Sequence, residues 1–109
     1  MMKKILATVL LLACSLPAYA HAAKTVTVKE AKTLRDDTRV VLTGKITGHA
    51  GDDDLYWLQD STGKIRIDID DDEWEDNHVA IGKTVRVVGD VDKNGGHTEI
   101  EVDHISVVR

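Results

Sequence analysis

The sequence predicts an all-β fold, a single small barrel of five strands, with a short helix ahead of the first strand and another between the third and fourth. Three observations carry this expectation. Ile65, Ile67 and Ile69 alternate with Arg66, Asp68 and Asp70, the period-two signature of a half-buried strand. Ser61-Thr62-Gly63 and Asn94-Gly95 separate β-prone runs in the way that hairpin connections do. No cysteine follows Cys14, so no disulfide can staple the domain, and a sheet closed on itself is one way to complete a core by packing alone.

The first twenty residues read as a secretory signal peptide. Met1-Met2-Lys3-Lys4 is a positive start, Ile5 to Ala13 an apolar run, and Ser15 to Ala20 ends in the small-residue pattern Ala18-Tyr19-Ala20. Cleavage is expected after Ala20, with Ala20-His21-Ala22 offering the same form two residues on. The apolar run is well short of the roughly 20 residues a membrane-spanning helix needs. Leu11-Leu12-Ala13-Cys14 has the form of a lipoprotein processing site, the alternative reading, although Leu12 is larger than the residue usual at its position. The expected mature chain, residues 21–109, is then one periplasmic domain of 89 residues.

Along that domain, Thr27-Val28-Lys29-Glu30 has the form of a capping box, with Val28, Ala31 and Leu34 at helical spacing, so a helix is expected over Val28 to Arg35. Arg35-Asp36-Asp37-Thr38 breaks it. Val40, Leu42 and Ile46 begin the first barrel strand, and Gly44 and Gly48 within it mark a bulge or sharp bend. The second strand is Leu55 to Asp60 and the third Lys64 to Ile69. Asp71 to Asn77 is a helical connection anchored by Trp74, expected to plug the barrel. Thr84 to Val91 and Thr98 to Val107 are the last strands, joined by a turn over Asp92 to Gly96, with Ile100, Val102 and Ile105 facing inward. Five strands with a helix between the third and fourth is the element order of the OB-fold, a Greek-key barrel.

Lys3 and Lys4 leave with the signal, so the mature balance is 12 Lys plus Arg against 19 Asp plus Glu, a net charge of −7. That argues against nucleic acid, whose phosphates need a cationic surface. It favours cations, cationic peptides or basic protein surfaces. Surplus carboxylates also serve solubility alone.

An ordered set of segments resembles the bacterial OB-fold (BOF) proteins of the YgiW/YdeI type. It comprises Ala31 to Thr38, Val40 to Gly44, Asp53-Asp54-Leu55-Tyr56, Asp60 to Gly63, Ile67 to Asp70, Trp74 and Gly89 to Lys93. The resemblance implies a periplasmic OB-fold protein of tolerance to cationic antimicrobial peptides, peroxide or metal stress. It also implies a binding or adaptor role toward envelope components, among them peptidoglycan fragments and outer-membrane porins, in place of nucleic acid. The longer Gly/Gln/Ser-rich stretch that some relatives carry after the signal is missing here.

No catalytic constellation is legible. The mature chain has no cysteine, its only serines are Ser61 and Ser106, and neither sits in a nucleophile elbow. The chain is therefore read as a binding protein without a cofactor. An OB-fold binds on the face of its second and third strands, which nominates Trp57, Arg66, Asp68 and Asp70 as ligand-binding residues. Resemblance puts Tyr56 and Leu58 in the core and Trp57 outside. For a divalent cation, the alternative function, Asp68, Asp70 and Asp72 alternate as oxygen ligands, without the glycine and spacing of an EF-hand loop. The histidines at 21, 49, 78, 97 and 104 show no paired metal spacing.

Overall fold

The computed structural model describes residues 22–109, so the expected signal peptide, its cleavage site and Cys14 lie outside the described residues. The elements run β1 (Lys24–Thr25), α1 (Val28–Ala31), β2 (Arg39–His49), β3 (Leu55–Asp60), β4 (Gly63–Asp68), α2 (Asp71–Asp76), β5 (Thr84–Asn94) and β6 (His97–Val107). Strand order is β1-β2-β3-β4-β6-β5, and β5 returns to pair with β2, closing a ring. The five expected strands are all present. A sixth, the two-residue β1, lies parallel on β2 and had no signal in so short a run.

Strand β2 serves both halves of the ring. Arg39 to Lys45 pairs with β5, while Lys45 to His49 pairs with β3 across a bulge between Ile46 and Gly48. Gly44 is obligatory there because a Cβ would lie 2.6 Å from the carbonyl oxygen of Gln59. Gly89 meets the same limit against the carbonyl of Glu101, beside the bulge in β5–β6. Two strands thus approach more closely than any side chain permits.

Inward positions form one core. Leu42, Ile46, Leu58, Ile65, Ile67, Ile69, Val85, Val87, Val91 and Ile100 are essentially water-free, with Tyr56, Val102 and Ile105 at its margin. Trp74 on α2 closes the barrel as expected: it is half-buried, packs on the core and stacks on Tyr56 at 4.1 Å between ring centroids. Helix α1 is shorter than its pattern suggested. Its capping box forms, Glu30 N donating to Thr27 Oγ1 and Thr27 N to Glu30 Oε1. Beyond Ala31, however, the amides of Thr33 and Leu34 donate to carbonyls only three residues back, tightening the last turn. The β5–β6 hairpin is tighter than expected as well, because Gly95 and Gly96, both at positive φ, make the whole loop and leave Asp92 to Asn94 in the strand.

Candidate functional site

The outer face of β3 and β4 is built by simple alternation. Tyr56 and Leu58 point into the core, so Trp57 between them points out, directly across from Arg66 on β4 and Gly48 on β2. Lys64, two residues before Arg66, shares its face. The Lys64 ammonium lies 4.6 Å, and the Arg66 guanidinium carbon 5.3 Å, from the centre of the Trp57 ring, both inside cation–π range. Lys32, Gly96, His97 and Thr98 complete an open depression around this group. Among the described residues the only ion pairs are those of Arg39 with Asp90 and Asp103, so Lys64 and Arg66 have no carboxylate partner.

At the other end of β4 the charge reverses. Asp68 ends the strand, Asp70 is the N-cap of α2, and Asp54 closes the loop before β3, where its carbonyl accepts from Ile69 N at 2.9 Å. One oxygen from each of Asp54, Asp68 and Asp70 can be chosen so that all lie within 4.8 Å of one another. Burial, then the charges of Asp54, Glu101, Asp70 and Glu99, push the Asp68 carboxyl above the usual carboxylate range. Partial desolvation, then Asp71, Asp70, Asp53 and Asp52, do the same to Asp54. Burial, followed by Asp71, Asp54 and Asp53, raises the Tyr56 phenol beneath this rim. The Asp70 side chain makes no capping hydrogen bond to α2. The arrangement suits a hard cation with oxygen ligands.

The four nominated residues therefore divide into two places. Trp57 and Arg66 form the aromatic, cationic end, whereas Asp68 and Asp70 belong with Asp54 at the acidic end. Asp72 is not part of the acidic group. Strand alternation would place it with Asp68 and Asp70, but the chain has turned into α2 by then and carries its exposed side chain off the strand's line. Lys64 escaped the sequence reading, although its two-residue spacing from Arg66 signals it, whereas Asp54 stands in the sequence within the acidic Asp52-Asp53-Asp54 turn that accompanies the Asp68 to Asp72 alternation.

A sequence model of the bacterial OB fold (BOF) proteins matches residues 17–107. The chain belongs to this family. Protein YgiW of Escherichia coli K12 is 44% identical to it over 82 residues, which are 75% of this chain and 62% of YgiW, so the chain spans less than two thirds of that relative. The calcium-regulated OB-fold protein CarO of Pseudomonas aeruginosa is 34% identical over 85 residues, 78% of this chain and 72% of CarO. The solved structure of E. coli YgiW superposes with a TM-score of 0.70 at 42% identity, covering 79% of this chain and 91% of that one. Telomere capping protein Ten1 of Schizosaccharomyces pombe shares the fold alone, with a TM-score of 0.63 at 15% identity over 79% of this chain and 81% of Ten1. Neither YgiW nor CarO is named as an enzyme. No helix among the described residues of this BOF protein is long and apolar enough to cross a membrane.

Proposed function

We propose that this BOF protein is a non-catalytic binding module of the bacterial periplasm, acting in envelope stress tolerance, with the outer face of β3 and β4 as its ligand surface. One observation carries the reading: Trp57 is held outward on the face that OB-folds use, beside an open depression and two cations that have no carboxylate partner among the described residues. An envelope component, whether a cell-wall glycan fragment, a peptide or an outer-membrane protein surface, meets this face. The leader-like residues 1–20 support the compartment. The acidic balance opposes nucleic acid despite the shared fold of Ten1.

Titration of the 15N-labelled protein with soluble peptidoglycan fragments, a cationic antimicrobial peptide and calcium in turn tests the reading. Shifts centred on Trp57 and Arg66 with the peptidoglycan fragments, lost in Trp57→Ala, are the expected result. Shifts confined to Asp54, Asp68 and Asp70, with calcium alone, would overturn it.

The convergence of Asp54, Asp68 and Asp70 favours a second reading, a divalent-cation site. Its support is that carboxylates from the loop before β3 and from the junction of β4 and α2 face one another with no ion-paired Lys or Arg among the described residues, and that the relative CarO is named as calcium-regulated. Calcium should then raise the melting temperature of the wild type and not of an Asp54→Asn, Asp70→Asn variant.

A further inference from the structure

The depression beside Trp57 has a chemistry that narrows the ligand to one class. In a chain of net charge −5, Lys32, Lys64, Arg66 and His97 gather around a single indole, lining a space of about 270 Å³. The Arg66 Nε is shielded from water and has no hydrogen-bond acceptor among the described residues. A buried donor left without an acceptor is costly, and the planar guanidinium fork matches a pair of oxygens on one carboxylate or phosphate. Glu99 is the neighbour of Arg66 across β4–β6, yet it makes no ion pair with it and lines the acidic depression with Asp54 and Asp68 instead. On the other side of the indole, β2 presents Gly48, where an added Cβ would meet no atom within 4 Å. The strand leaves a gap beside the ring.

We propose that this depression is a subsite for a single oxyanion, a carboxylate or phosphate monoester, carried on a small ring-bearing molecule. The oxyanion takes Arg66 and Lys64, and the ring lies against Trp57 over the Gly48 gap. The proposal rests on the β3–β4 binding reading and deepens it by giving the ligand's charge. A cationic peptide is repelled from this end and drawn to the acidic one. A polyanionic strand is disfavoured too, because following β4 past Arg66 it meets Asp68 within about 7 Å, the rise of two residues, with Asp54 and Glu99 beside it. A space of about 270 Å³ matches one sugar-sized ring.

The test is titration of the 15N-labelled protein with glucuronate, glucose 6-phosphate, glucose and a thymidine oligonucleotide, followed by NMR and calorimetry. Either acid should shift the Trp57 indole and the Arg66 backbone saturably, more weakly as salt is added, and glucose should not. The tighter of the two acids tells whether the anion is a carboxylate or a phosphate. Arg66→Gln and Lys64→Gln should each weaken binding about tenfold. Gly48→Leu fills the gap without altering charge and should abolish the indole shift while the domain still melts cooperatively. Glucose or a cationic peptide shifting Trp57 as strongly as the acids would overturn the oxyanion assignment and leave the face a binding face. Preference for the oligonucleotide, or full binding retained in Gly48→Leu, would likewise overturn the proposal. Silence of Trp57 toward both acids and toward peptidoglycan fragments would remove the broader reading along with it.

Discussion

Replacing Asp60 with alanine tests how the N-terminal helix is fastened to the barrel. The carboxylate sits in the β3–β4 turn and accepts from Val28 N at 2.9 Å, Thr62 N at 2.8 Å and Thr62 Oγ1 at 2.6 Å, while Thr62 Oγ1 accepts from Lys29 N at 3.0 Å. The turn thereby caps the first amides of α1 from 32 residues away. The part-buried, charge-assisted bond to Val28 contributes about 1.5 kcal/mol, and the two exposed bonds to Thr62 under 1 kcal/mol each, so the loss comes to about 2–3 kcal/mol. For a domain of this size that lowers the melting temperature by roughly 10–20 °C. Burial alone would raise the Asp60 pKa, but the hydrogen bonds from Thr62, Val28 and Gly63 outweigh it and hold the carboxyl below its usual value. A depressed folded-state pKa means that the contribution is complete above the unfolded value, near 3.9, and fades as pH falls through the folded one. Thermal unfolding by circular dichroism should therefore show a gap between wild type and Asp60→Ala that is full at pH 6 and shrinks below about pH 3.5. A loss under about 3 °C at pH 6, or a gap that does not shrink in acid, would refute the capping argument.

The acidic end reverses that sign. Asp68 has a raised folded-state pKa, so its contribution to stability is greatest below the unfolded value and is lost as pH rises through the folded one. Asp68→Asn should be more stable than wild type at pH 7 in low salt without calcium, by roughly 0.5 kcal/mol after solvent screening, and equal to it near pH 4, as urea titrations at the two pH values can show. Gly89→Ala drives a Cβ onto the Glu101 carbonyl and should cost more than about 2 kcal/mol in chemical denaturation, whereas Gly48→Ala, in open space, should change stability by under about 1 kcal/mol. Trp74→Ala should remove about 2 kcal/mol and the near-ultraviolet dichroism of the ring stacked on Tyr56.

Much of the barrel is legible because its strands obey a two-residue period. Ile65, Ile67 and Ile69 read as buried and are buried, Gly44 and Gly48 mark a strand that bends and bulges, and Trp57 follows outward once Tyr56 and Leu58 are placed inward. What stays hidden depends on long-range geometry. Nothing near Lys24 and Thr25 announces pairing with Val40 and Val41. The division of Trp57, Arg66, Asp68 and Asp70 into two ends comes from the cross-strand register and the start of α2, which bring Asp54 to Asp68 and Asp70 and carry Asp72 away. Alternation tells which side of a strand a residue faces; only pairing tells which residues share it.

A ring of strands is as tight as its narrowest seam, and here that seam is β4 against β6. They run parallel and are in register only from Arg66 to Asp68 against Glu99 to Glu101, whereas β2 and β5 stay paired from Arg39 to Lys45 and β5 and β6 along nearly their whole length. Breathing motions of the native state should therefore unzip the molecule there first, turning a closed cylinder briefly into an open curved sheet, with amide exchange at Arg66 and Ile100 faster than at Val41 or Val87. The same seam lies under the border between the cationic and acidic ends of β4. A molecule bridging β4 and β6 would act as a clasp on the whole cylinder, so occupancy could be followed in the slowing of amides far from the point of contact.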